Sequence, residues 1–222
     1  MSTFGAPALL NLINDDERSV LARLGNRVIY SNGELVHDRG DLGTALGIVL
    51  SGRVNLYRTR SNGALVFTSA VEAGQNFGDV VSIASATRTH HAVAQGQTVV
   101  DHFGHSQLER IVRDYPTITL ALYKVASYRL KTAVEMLDDA RMLKTEVRLA
   151  KMLRRMVASD ENYAVIPAMQ DVLCQMLGLS SVSIVHALKS LRRLALVETG
   201  YRQITIPDLT RFDAWLQEND WE

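Results

Sequence analysis

Cysteine occurs once in the chain, at Cys174. That excludes an internal disulfide and any cysteine-rich metal or iron–sulfur site. Net charge is absent too: 24 basic residues balance 24 acidic ones. A zero balance weighs against nucleic acid as a partner, because such proteins often carry excess basic charge. No apolar run approaches the ~20 residues that span a bilayer. The opening Met1-Ser-Thr-Phe-Gly-Ala-Pro lacks the basic patch and apolar stretch of a secretory signal. A cytoplasmic chain with no membrane partner is therefore expected. Catalytic patterns are missing as well: there is no glycine-rich phosphate loop and no nucleophile triad. No His-x-His is followed by the carboxylate and histidine of a metal-dependent oxidase. Cys174 falls on a helix where core packing suits it better than attack. No catalytic residues and no enzyme are expected.

What is present is 222 residues, 47% apolar and 22% charged, the proportions of a folded chain of one large or two ordinary domains. The charge is segregated. Between Lys144 and Ile206 nine basic residues face five acidic ones, whereas after Pro207 one arginine faces five acids. Salt screens charge beyond ~8 Å, so a local surplus matters more to a phosphate than the global sum.

The first 25 residues read as an opening helix, with caps at Asn14-Asp15-Asp16 and Val20, Leu21 and Leu24 at helical spacing. From Arg27 to Phe103 short β-branched runs alternate with glycine turns. The runs are Arg27–Tyr30, Glu34–His37, Leu46–Leu50, Arg53–Tyr57, Leu65–Thr68 and Thr98–Asp101. Asn62-Gly63 between two of them is the strongest hairpin signal. Many short strands at regular spacing predict a sandwich or β-roll. Helix returns with a capping box, Ser106-Gln-Leu-Glu109, and Pro116 opens a long helix to about Leu143. Along it Ala126, Leu130, Ala133, Leu137 and Ala140 repeat in steps of four, three, four and three, a seam for pairing with a second copy. The off-seam Leu120, Val125 and Val134 are free to cover the roll. The plainer alternative packs the seam itself on the roll. Thr145 is placed to cap the next helix, which ends near Ala158; Asp160-Glu-Asn is a turn and Tyr163–Ile166 a short strand.

The chemistry-bearing segment follows. Gln170–Leu177 is a short helix, and Gly178-Leu-Ser180 is a turn whose glycine takes positive φ. Ser181–Leu194 is a second helix with Ile184, Val185, Leu188 and Leu191 turned inward. Val197–Ile206 is a β-hairpin. Two helices on a glycine turn, then a hairpin, make a winged helix-turn-helix. With Lys189, Arg192, Arg193 and Arg202 beside it, double-stranded DNA is the expected partner. A protein-binding winged helix remains the alternative. Asp208 can cap a last helix with Leu209, Phe212, Trp215 and Leu216 on one face, to pack on the winged helix or, more rarely, to pair with a second copy or screen the basic surface.

The whole chain resembles the Crp/Fnr family of bacterial transcription regulators. The roll glycines Gly33, Gly40, Gly47, Gly52, Gly63, Gly74 and Gly78 and the run Gly178-Leu-Ser-Ser-Val-Ser-Ile-Val-His-Ala-Leu-Lys-Ser-Leu carry the likeness. The resemblance implies an α+β chain. A cyclic-nucleotide-binding-like β-roll (a jelly roll) with flanking helices spans 1–115, a dimerisation helix and hinge spans 116–143, and the winged helix-turn-helix with its C-terminal helix spans 144–222. It implies a homodimer whose paired second helices enter successive major grooves, and it allows RNA polymerase as a further partner. A ligand in the roll would shift the pairing of the long helices about a hinge near Met142–Lys144.

The departures from the family bear on specificity. Its Arg-Glu-x-x-x-Arg pattern on the recognition helix becomes Ser181, Val182 and His186 here. An arginine reads guanine with two hydrogen bonds, while serine reads weakly and valine contacts only a thymine methyl. An unusual operator is therefore expected, with Ser181, Ser183 and His186 at base edges. Ser180, as N-cap, with Lys189, Arg192 and Arg202, would lie on phosphates.

In nucleotide-sensing relatives a Gly-Glu pair takes the ribose and an arginine the cyclic phosphate. Here the pair is Gly78-Asp79, and the arginine position falls on His90, followed by His91 and Ala92. Arg88, two residues earlier, offers a shifted phosphate contact. The adenine-binding threonine and serine align with Ala133 and Val134, which neither donate nor accept through their side chains. These departures disfavour cyclic AMP, since a buried phosphate needs a placed cation or amide donors. A histidine-ligated haem or metal is disfavoured as well: adjacent strand residues His90 and His91 point to opposite faces. His102 and His105 flank Phe103-Gly104 and are free to turn toward each other, but no carboxylate of ligand spacing accompanies them. The effector is unknown. A constitutive DNA binder with a non-functional ligand pocket stays open as a further alternative.

Overall fold

A computed structural model describes residues 6–43, 45–59, 63–79, 82, 86–157, 162–167 and 170–220. The chain forms two compact units, Met1–Ala133 and Val134–Glu222. Among the described residues no single helix is long and apolar enough to cross a membrane.

The first unit opens on a 3-10 turn, Leu9–Leu12, and helix α1, Asp15–Leu24. Asn14 caps α1 in a full capping box. Its side chain accepts from the Glu17 N–H at 2.9 Å, and the Glu17 carboxylate accepts from the Asn14 N–H at 2.9 Å. Six strands follow: β1 Asn26–Tyr30, β2 Leu35–His37, β3 Ala45–Thr59, β4 Leu65–Glu72, β5 Asn76–Phe77 and β6 His91–Gly104. They form one antiparallel sheet in the order β1-β6-β3-β4, with β2 on β6 and β5 on β3. The runs expected as separate strands at Leu46–Leu50 and Arg53–Tyr57 are a single strand. Its register against β6 shifts between Val49 and Arg53, and the Ser51-Gly52 pair that signalled a turn makes this irregularity instead. Likewise β6 extends well beyond Thr98–Asp101. Asn62 of the turn expected at Asn62-Gly63, and Asp160 and Glu161 of the turn expected at Asp160-Glu-Asn, lie outside the described residues.

Two apolar layers follow from the alternation of side chains along the strands. One, including Val49, Val54, Val71, Phe77, Ala92 and Val100, fills the inside of the roll. The other joins Leu46, Ile48 and Phe103 to the helices, through Leu21 of α1, Leu108 and Ile111 of α2 (His105–Asp114) and Ile118, Leu122 and Val125 of α3 (Pro116–Met142). The capping box expected at Ser106 and Glu109 is not formed. The helix starts two residues earlier than a Ser106 cap would place it, with Gly104 as its cap, and the Ser106 hydroxyl bonds the Gln107 side chain instead.

Helix α3 is the long rod expected from Pro116. Of the three off-seam residues expected to cover the roll, Leu120, Val125 and Val134, only Val125 is buried. Leu120 is 52% exposed and Val134 48%, contrary to the expectation that they cover the roll. Among the exposed residues of α3, Leu120, Tyr123, Ser127, Leu130, Val134 and Leu137 form a stripe in steps of three and four. This stripe keeps Leu130 and Leu137 from the expected seam. Ala126 and Ala133 are half-buried, and Ala140 is exposed, one position before the stripe's next heptad place at Arg141.

The second unit contains α4 (Thr145–Met156), β7 (Ala164–Pro167), α5 (Gln170–Leu177), α6 (Ser181–Arg193), β8 (Glu198–Gly200), β9 (Gln203–Ile206) and α7 (Leu209–Asn219). Lys144, not Thr145, occupies the cap position of α4. The sheet order β7-β9-β8 places the hairpin β8–β9 at one edge. Leu149, Leu153, Leu173, Ile184, Leu191 and Phe212 share one core. The last helix packs there through Leu209, Phe212 and Leu216, with its Asp208 cap accepting from the Arg211 N–H at 3.0 Å. An ion-pair chain ties the unit's first and last segments. The Lys151 ammonium donates to Asp139 at 2.9 Å and to Asp220 at 2.8 Å, and Arg154 donates to Asp213 at 2.7 Å. Burial alone would lower the Lys151 pKa, but hydrogen bonds to Asp220 and Asp139 outweigh it and raise the value.

Candidate nucleic-acid interface and sensor site

Helices α5 and α6 meet at a bend of 105°, the geometry of a helix-turn-helix. Gly178 makes the turn at φ +66°, a left-handed conformation that costs glycine little. Ser180 is the N-cap of α6: its hydroxyl accepts from the Ser183 N–H at 3.1 Å. Ile184, Ala187 and Leu191 face inward and are buried, which turns the opposite stripe to solvent. That stripe carries Val182, Val185, His186, Lys189, Arg192 and Arg193, all exposed. Val185 was expected inward; at 47% exposure it belongs to the outer face, one turn from Val182.

The three serines differ. Ser180 and Ser181 are exposed, and Ser183 is half-buried with its hydroxyl 2.9 Å from that of Ser180. The Ser181 hydroxyl lies 3.8 Å from the Cys174 sulfur, so Cys174 is half-buried beside the turn. The hairpin tip carries Tyr201, 89% exposed, and Arg202 at φ +56° with its guanidinium 5.9 Å from the Tyr201 ring centroid. Sequence reasoning missed Tyr201, which neither pattern nor charge singles out.

In the first unit Gly78, Asp79 and Arg88 come together, whereas His90 and His91 have partners of their own. Gly78 lies at φ +76° with the Arg88 guanidinium packed against it, so a side chain at this position would strike the Arg88 guanidinium. Arg88 is buried; its Nη2 donates to the Ala45 carbonyl, and its Nη1 is buried with no hydrogen-bond partner among the described residues. Burial lowers the Arg88 pKa from its ordinary value. The Asp79 carboxylate is bound from within the chain. Arg129 Nη1 donates to both its oxygens at 2.9 Å, and Arg129 Nη2 donates to the Asn76 carbonyl at 2.6 Å.

Arg129 was not foreseen, although a signal existed. Ile118, Leu122 and Val125 set a buried stripe along α3, and Arg129 is its next position. A cation there requires a buried acid.

His90 Nδ1 is 2.8 Å from the Thr89 hydroxyl, while His91 contacts Asp38 through Nδ1 and Thr59 through Nε2 at 2.7 Å. His102 and His105 do not turn toward each other. His102 Nε2 lies 3.0 Å from the Tyr30 hydroxyl inside the roll, and His105 pairs with Glu109 on the helix surface. The register places His102 on a strand and His105 in the first turn of α2, so their directions diverge. Among the described residues no three His, Cys, Asp or Glu side chains could hold a metal ion. Ala133 is half-buried and Val134 exposed.

The roll interior is instead lined by histidines that stay neutral. His37 stacks on Phe77 at 5.8 Å between centroids, and His102 meets the same ring edge-on at 6.4 Å. Burial, then the charge of Arg88, pushes the His37 pKa down to about 4 and lowers that of His102. A stability consequence follows. An unfolded His37 takes a proton near 6.5 and the folded one only near 4. Between those values the unfolded chain binds more protons, so stability falls as pH falls. The expected loss from His37 is about 3 kcal/mol between pH 7 and pH 4. Urea unfolding at both pH values checks this: His37→Gln should lose less on acidification than the wild-type chain, and an equal loss would remove His37 as the cause.

Two family models match the chain in order: a cyclic nucleotide-binding domain over residues 27–115 and a Crp-like helix-turn-helix domain over 147–215. The cyclic AMP receptor protein of Thermus thermophilus is 28% identical over 134 residues, 60% of this chain and 62% of that protein. Lysophospholipase nte1 of Neurospora crassa is 23% identical over 115 residues, 52% of this chain and 8% of that protein. The match therefore spans less than two thirds of either relative. Among solved structures, a CooA mutant from Carboxydothermus hydrogenoformans superposes with a TM-score of 0.75 at 16% identity, covering 97% of this chain and 100% of that one. The catabolite activator protein of Thermus thermophilus gives 0.55 at 22% identity, covering 96% and 100%. These likenesses establish the fold. The sensor-type domain is what the lysophospholipase shares, and its union here with a Crp-like helix-turn-helix makes the chain a member of the Crp/Fnr family of transcription regulators.

Proposed function

We propose that the chain is a homodimeric, DNA-binding transcription regulator whose roll senses something other than cyclic AMP. The observation that carries the DNA-binding part is the outer face of α6. Its first two turns are free of core duties, and Lys189, Arg192 and Arg193 stand behind them, with Arg202 on the adjoining wing. In this reading Ser180, Lys189, Arg192 and Arg202 fix the helix on phosphates, and Ser181, Ser183 and His186 lie toward base edges.

Duplex binding measured by fluorescence anisotropy across salt concentrations tests it. The affinity should fall steeply with salt. Lys189→Ala, Arg192→Ala and Arg202→Ala should each weaken binding to all sequences and flatten the log–log slope by about one. Failure to bind any duplex at low salt would overturn the reading. It would favour a protein-binding winged helix, the alternative for which the exposed valines of α6 speak.

The effector proposal rests on Asp79. Both its oxygens already accept from Arg129, so the group that would take a ribose hydroxyl is engaged. His90, at the phosphate-binding position, has its pKa lowered by burial and then by Arg58, and so favours the neutral form. Cyclic AMP at millimolar concentration should leave both the melting temperature and duplex affinity unchanged; a shift in either would restore it as the ligand. Arg88 Nη1, Arg129 Nε and Asn76 Nδ2 are buried without a partner among the described residues, so this site has donors to spare for an anion.

A further inference from the structure

Sequence can be read only by groups that project from the outer face of α6, and the two leading positions there are apolar. Val182 is 65% exposed and Val185 is 47% exposed. They are the second and fifth residues of α6, within the first two turns that reach base edges in a helix-turn-helix. Neither belongs to the core of the second unit, which takes Ile184, Ala187 and Leu191 from the same helix. The small polar neighbours are partly committed. The Ser183 hydroxyl is held against Ser180, and the Ser181 hydroxyl turns toward Cys174. The cations follow one turn later and suit phosphates, which carry no sequence information.

A β-branched side chain on a helix has one strongly preferred rotamer, so the valine methyls are set in place before any contact. In the major groove the apolar feature of a base pair is the thymine C5-methyl. Residues three apart on a helix have Cβ atoms about 5–6 Å apart, and successive bases rise about 3.4 Å per strand. Two valines so spaced match methyls one or two base steps apart.

We infer that Val182 and Val185 read two thymines, one or two steps apart in each half-site, by packing on their C5-methyl groups. The inference rests on the DNA-binding reading above and gives it a chemical specificity.

The test begins with selection of random duplexes by the full-length chain. Affinity for the enriched duplex is then compared with that of copies carrying uracil for thymine, which removes only the methyl. Each uracil at a read position should weaken wild-type binding about fourfold, and the loss should vanish with Val182→Ala or Val185→Ala. Enriched sites without thymine, no effect of uracil, or an equal effect on the alanine variants would overturn the inference while leaving DNA binding intact. Absence of any enriched or bound duplex would overturn the DNA-binding reading and this inference with it.

Discussion

If the chain pairs as proposed, glutamate at both Leu130 and Leu137 is expected to leave it monomeric at micromolar concentration and to weaken operator binding by about a hundredfold or more. The two leucines are 66% and 59% exposed and lie in the second half of the outward stripe of α3. Leu120, Tyr123 and Val134 continue the stripe on the same face at heptad spacing, so a partner rod would bury a continuous seam. Four introduced charges at such a seam would face one another without partners. Loss of the dimer removes the second half-site contact, and with it the effective concentration that makes the pair bind tightly. Ala140→Glu provides the contrast. It changes a position of the seam expected from sequence that the exposed leucine stripe bypasses, and it should leave sedimentation unchanged. A double glutamate variant that still sediments as a dimer would remove this face as the interface.

The second large effect concerns Arg129. Its side chain and that of Asp79 are 15% and 10% exposed, so the pair is largely out of water. Arg129→Leu would strand a buried carboxylate and should cost about 3 kcal/mol or more in urea unfolding. Combining Asp79→Asn with Arg129→Leu should recover much of that loss, because no charge is then left unpaired. If the single variant unfolds like the wild-type chain, Arg129 contributes nothing to the stability of the roll.

Much of the fold was legible because its signals are local. Glycine turns marked the strand ends, Pro116 marked the start of the rod, and Gly178-Leu-Ser180 marked the turn between the two helices. Errors arose where one local pattern had two outcomes. Ser51-Gly52 suits a hairpin or a bulge, and pairing of β3 along β6 decided for the bulge. Ser106 suits a cap, but the strand running to Gly104 left room for the helix to start before it. Val185 was read inward because it is apolar, although Ile184, Ala187 and Leu191 had already filled that side.

The recognition helix was legible as a surface, since Lys189 and Arg192 share its outer face. The candidate ligand site was less so. Gly78, Asp79 and Arg88 were found through family resemblance, but Arg129 lies 50 residues from Asp79 and meets it only through tertiary folding. His37 and His102 meet around Phe77 for the same reason.

The acidic tail lends itself to the picture of a loose negative fringe shielding a basic surface. The Lys151 and Arg154 pairs contradict that picture, since Asp220 and Asp213 are the counterions of α4 and not a diffuse cloud. Helix α7 and its C-cap thereby act as a strut held on α4 at two points.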